Sequence, residues 1–154
     1  RMSENGELLH YHHTSLQNFE SAAIDKALLS YDKQKEKDKA PKSSGGRPDV
    51  VQMTRDKFDI KGLLRERGLI DNSGLGSAGR GVVLVFDESI MDDSQYDCID
   101  AYPNLPVIPF DKLKAVLVIS EEDKEKALEI VKKNNLHAAV VNRDTWASER
   151  YKVN

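Results

Sequence analysis

The sequence predicts an α+β domain, and three observations carry that reading. Short, β-branched apolar runs are scattered along the chain, and the most strongly patterned helix comes late. The elements run strand, helix, loop, strand, helix, then strands with one late helix, rather than in strict β–α alternation. No internal repeat is present, and 154 residues match the length of one domain, so residues 2–154 are read as a single unit.

Taken in order, Glu7–His12 (Glu-Leu-Leu-His-Tyr-His) is apolar and aromatic enough for a buried strand. Thr14-Ser15 supplies a helix N-cap, and Leu16, Phe19, Ala23 and Ile24 follow at helical spacing. Ala27-Leu28-Leu29 continues that apolar face. Residues 32–48 hold six Lys and Arg against three Asp and Glu, then Pro, Ser and Gly. With no apolar periodicity, this stretch reads as a solvated helix end running into a mobile loop. The sharper alternative is a basic flap over an anionic ligand. Asp49–Thr54 returns to strand composition, and Asp59–Gly68 has a short amphipathic helical pattern.

Val82–Phe86 is the clearest strand, too short and too β-branched for a helix. Residues 87–105 are acidic and irregular. Pro109 to Leu113 suggests a tight turn or short helix launching a second strong strand, Ala115–Ile119. Ser120-Glu-Glu-Asp123 then caps a helix over about 121–134. Glu122–Lys126 and Glu129–Lys133 are favourable i,i+4 pairs there, with Ala127, Leu128 and Val131 facing the core. Ala138–Val141 is the last expected strand.

Composition narrows the function classes. Charged residues make up 32% of the chain, with a net charge of −3, which excludes a wholly basic nucleic-acid grip but not a local patch. The single Cys98 permits neither an internal disulfide nor a cysteine-rich zinc site, and the expectation is a cytoplasmic protein. Met2 is followed by Ser-Glu-Asn-Gly, so no secretory leader is expected, nor any membrane association.

Several motifs fail on context. Gly74-x-Gly76-x-x-Gly79 has dinucleotide-fingerprint spacing but precedes a strand, where a Rossmann loop must follow one. His10, His12 and His13 share one strand and His137 is remote, so no metal set is expected. What remains is His12 and Thr14, two apart and therefore on one side of an extended segment. Either they face a ligand, or Thr14 only caps the helix and His12 is a satisfied core histidine.

Here the residues resemble a family. Tyr11-His-His-Thr-Ser-Leu-Gln-Asn-Phe19, followed by Ala27-Leu28-Leu29, is similar to the opening of the ADP-ribosyltransferase superfamily: a strand ending in His-x-Thr, a helix, then a small residue before Leu-Leu. Arg47-Pro-Asp-Val-Val-Gln-Met-Thr54-Arg55 resembles a strand of tRNA 2′-phosphotransferases, DNA-targeting ADP-ribosyltransferase toxins and phage-associated relatives. Val83–Asp87 and Val107–Ile119 resemble those toxins' closing strand pair.

The resemblance implies two small sheets around an NAD cleft with flanking helices. It implies NAD as substrate and transfer of ADP-ribose to a protein or nucleic-acid acceptor, as in a toxin or phage effector acting in a host cytoplasm. By the same resemblance His12 and Thr14 hold the nicotinamide and ribose region. Thr54 lies in the second matching segment, and Arg47 or Arg55 pairs with the pyrophosphate. Tyr31, with Phe58 as the other candidate, stacks on nicotinamide. The family's catalytic Glu is expected upstream of Ile108-Pro109, where Asp100 and Ala101 stand, so Asp100 is the candidate carboxylate. The competing reading is the same fold without turnover, binding a protein or nucleic acid. Oligomeric state is left open.

Overall fold

In the computed structural model the described residues are 9–37, 49, 51, 53–55, 81–87, 90, 96–97, 100–101 and 105–150. The expected helix over 59–68, the glycine motif at 74–79, and residues 38–48 of the proposed loop lie outside them.

The strands form two sheets. The larger has seven strands: β5 (Tyr96–Asp97), β6 (Asp100–Ala101), β3 (Met53–Arg55), β1 (His10–Ser15), β4 (Gly81–Phe86), β8 (Leu113–Val118) and β9 (Ala139–Asn142), in that spatial order. Every neighbouring pair is antiparallel except β8–β9. Parallel strands need a long crossover, and the helix α3 (Glu121–Lys133) supplies it. The smaller sheet pairs β2 (Ala27–Leu29) with β7 (Val107–Pro109).

β1 is flanked on both edges, by β3 and β4, and begins the helix α1 (Leu16–Asp25) directly. The Ser15 hydroxyl caps that helix by accepting from the Asn18 backbone N–H at 3.0 Å. α1 ends at Lys26, which turns into the left-handed region at φ 54°, so Ala27–Leu29 leaves the helix and pairs with β7. The expectation that this segment continues the helical face is corrected here. Non-local pairing with Val107–Pro109 outweighs a local pattern that three apolar residues satisfy equally well as strand or helix.

Strand alternation divides the interior. On one face of the large sheet Val82, Leu84, Phe86, Val116 and Val118 pack with Met53, with Phe19 and Ala23 of α1, and with Leu28 and Ile108 of the small sheet. Phe110 joins the layers. It opens a 3₁₀ turn (Phe110–Lys112) between β7 and β8, and its ring lies 6.1 Å from Phe19 and 6.0 Å from Phe86. Its N–H donates to the Lys26 carbonyl at 2.8 Å. On the opposite face Leu9, Tyr11, Val83, Val85, Ala115 and Leu117 form a second cluster, joined by Val141 and Trp146.

Two expected core residues are exposed. Ile24 is 72% exposed because one residue's rotation, about 100°, carries it off the face of Phe19 and Ala23. Leu128 stands outside the buried arc of Asp123, Ala127, Ile130 and Val131 for the same reason. Two short helices complete the description: α2 (Tyr31–Glu36), and α4 (Arg143–Arg150), which the sequence reading did not anticipate. Asn142 marks the start of α4, its Oδ1 accepting from the N–H groups of Asp144 and Thr145 at 2.9 and 3.1 Å. Asparagine ahead of Arg-Asp-Thr is the cap signal that was available in the sequence.

Candidate functional site

The His-x-Thr strand is β1. Its register pairs His10 with Phe86, His12 with Leu84 and Thr14 with Val82. Partners in one row share a face, so the three residues point toward the layer that the small sheet and α1 close from the other side. Burial varies along the row of three. His10 is wholly buried, His12 is half-buried, and Thr14 is buried at the strand's end. His12 is therefore not sealed inside the apolar core.

The Thr14 hydroxyl is held by a contact the sequence reading missed. Its Oγ1 accepts from the Asn18 side-chain amide at 3.1 Å, while Ser15 does the capping. An accepting hydroxyl keeps its own hydrogen to donate. A half-buried imidazole and an oriented hydroxyl donor two residues apart can hydrogen-bond a polar ligand such as an amide or a sugar hydroxyl. The spacing of four between Thr14 and Asn18, one helical turn, was the signal for that contact.

The other candidates are distributed around this strand. Thr54 and Arg55 lie on β3, in register with Tyr11 and His10. Asp100 lies on β6 in register with Thr54, so it belongs to the row of Tyr11. Ala101 belongs to the row of Met53, whose side chain packs in the same layer as Leu84. The carboxylate candidate and His12 are thus in different rows of the sheet.

Tyr31 is on the side of the small sheet, as the first residue of α2, with the Lys35 Nζ 5.6 Å from its ring centroid. Ser30 before it caps α2 through its hydroxyl, which accepts from the Lys33 N–H at 3.2 Å, and its N–H donates to the Pro106 carbonyl at 2.8 Å. Arg47 and Phe58 lie outside the described residues. Among the described residues no group of three His, Cys, Asp or Glu is placed to hold a metal ion, and no helix is long and apolar enough to cross a membrane.

No family model and no curated protein matches this chain. Solved structures do. Three of DarT from Thermus sp. 2.9, in complex with NAD+, with carba-NAD+ and with ADP-ribosylated ssDNA, align with TM-scores of 0.54, 0.60 and 0.57. The alignments cover 88, 90 and 95% of this chain and 96, 96 and 98% of the DarT chains.

The chain has the DarT fold. At 13–14% identity the likeness is one of architecture. It bears out the expected ADP-ribosyltransferase-like α+β arrangement, with one difference in proportion: the larger sheet has seven strands and only the second is small. DarT is a DNA-targeting ADP-ribosyltransferase toxin, the class that the sequence motifs resemble.

Proposed function

We propose that this chain binds NAD beside the C-terminal half of β1 and transfers ADP-ribose from it to a nucleic-acid acceptor. The observation that carries the reading is the oriented pair of His12 and Thr14, facing the layer between the sheets in a fold shared with NAD+-bound DarT. The DarT complex with ADP-ribosylated ssDNA favours single-stranded DNA as the acceptor to test first. Action as a toxin or phage effector in a cytoplasm belongs to the same proposal.

Loss of nicotinamide from NAD leaves positive charge on the ribose, so catalysis rests on positioning and on a nearby carboxylate. Within the proposal, His12 and Thr14 orient the nicotinamide-ribose end and Tyr31 stacks on the ring. Arg47 or Arg55 pairs with the pyrophosphate through charge-assisted hydrogen bonds. Asp100 supplies the carboxylate. An aspartate is one methylene shorter than the glutamate the resemblance implies, so turnover is expected to be slow: a misplacement of about 1 Å costs about a hundredfold in a reaction that depends on position. The same observation supports the second reading, a module of this fold that binds a protein or nucleic acid without turning over.

Thermal melting with and without NAD tests binding. Wild type should be stabilised, and His12→Ala and Thr14→Val should lose that shift while keeping their own transitions. Transfer of label from NAD to single-stranded DNA, RNA and protein then tests the activity. Stabilisation without transfer means a site that holds NAD without turnover, and no stabilisation at saturating NAD defeats the transferase reading and leaves the module that binds a protein or nucleic acid.

A further inference from the structure

We propose that the groove between α1 and α3 is a self-complementary surface through which two copies of this chain associate. The groove has a volume of about 780 Å³, and Leu16, Ile24 and Ile130 give it an apolar lining. Ile24 is the most exposed large apolar side chain among the described residues, at 72%. It projects into solvent from the α1 wall of that groove. A twofold axis through the groove packs each copy's Ile24 against the other copy's apolar lining.

Charge selects the same occupant. The α1 wall contributes Glu20, whereas the α3 wall contributes Lys126 and Lys133 around Glu129 and is net positive. Lys126 is engaged by Glu122 at 3.7 Å, but Glu20, Glu129 and Lys133 have no ion-pair partner among the described residues. In particular, Glu129 and Lys133 do not form the i,i+4 pair their spacing allows. Laying α1 of one copy along α3 of the other brings Glu20 to Lys133 twice, once on each side of the axis.

Sedimentation of the purified full chain over a range of concentrations reads the proposal directly. Wild type should show a reversible monomer–dimer equilibrium. Ile24→Asp should weaken it at least about a hundredfold, because each dimer loses two buried isoleucines. Glu20→Lys and Lys133→Glu alone should each weaken it by about tenfold, while the two together restore it. Since these side chains are exposed or at the groove's rim, melting temperatures of the variants should match wild type once corrected for dimerisation. A chain that stays monomeric up to about 1 mM leaves the groove to another occupant and overturns the proposal. So does a dimer that survives Ile24→Asp, or one that the charge exchange fails to restore.

Discussion

The Asn18 side-chain amide donates to the Thr14 hydroxyl at 3.1 Å, one turn into the helix that follows the strand. Because Asn18 is exposed, the contact adds little to the core. Its effect is to orient a hydroxyl at the end of β1. Asn18→Ala should therefore cost no more than about 0.5–1.5 kcal/mol of stability, the worth of one such hydrogen bond. It should nonetheless reduce the stabilisation by NAD, and Thr14→Ser should retain it. Urea titration with and without NAD separates the two quantities.

Moving the carboxylate by one residue should change the rate of turnover. Ala101 is in the Met53 row, and Met53 packs with Leu84, the row partner of His12. Asp100 is in the Tyr11 row. The expected result is slow NAD turnover in wild type, loss of nearly all of it in Asp100→Asn, and little change in Asp97→Asn. Ala101→Glu should accelerate turnover by up to about a hundredfold. Rates compared at equal folded fraction decide this; an Ala101→Glu variant no faster than wild type removes the register argument.

How much of this was legible in the sequence depends on what fixed each element. α3 was readable because its signals are local: Ser120 caps it, accepting from the Asp123 N–H at 3.2 Å, and Glu122 meets Lys126. β4 and β8 were readable because β4 is buried throughout and β8 is buried and apolar from Ala115 to Val118, with Lys114 alone exposed. Ala27–Leu29 was misread because only its pairing with Val107–Pro109 makes it a strand, and pairing across eighty residues leaves no local trace. β5 and β6 are two residues each, below any detectable period. At the site, His12 and Thr14 were legible as a strand-spaced pair, but Asp100 was chosen by chain position. The row that a residue occupies depends on register, which a one-residue slip reverses.

Lys26 carries backbone strain at a joint between the layers. Its φ of 54° closes α1, and its carbonyl accepts from the Phe110 N–H. The left-handed region costs an L-residue about 1–2 kcal/mol, which glycine avoids, although glycine also loosens the unfolded chain by about 0.4–1 kcal/mol. Lys26→Gly should therefore be neutral or stabilising by up to about 1 kcal/mol, and Lys26→Val, β-branched, should be clearly destabilising. Chemical denaturation midpoints at unchanged m-values give the comparison.

Arg143 opens α4 with a guanidinium that the structure buries without satisfying. The residue is 8% exposed, its Nε donates to Asp144 Oδ1 at 3.4 Å, and its buried Nη1 has no hydrogen-bond partner among the described residues. A desolvated donor left unmade costs about 1–3 kcal/mol, and more when charged. A positive charge in the first turn also opposes the helix macrodipole. Asp144 is exposed and loses little if its weak partner goes. Arg143→Met keeps the long apolar stem and removes both penalties, so it should raise stability by about 1 kcal/mol and the melting temperature by about 2–4 °C. Asn142→Ala is the opposing control. It removes the cap of α4 together with the Asn142 Nδ2 donation to the Ile119 carbonyl, and it should cost about 0.5–2 kcal/mol. Calorimetry on the two variants reads both signs. A fall of several degrees in Arg143→Met would mean that the guanidinium finds an anionic partner in solution, and its burial would then be a binding feature rather than a cost.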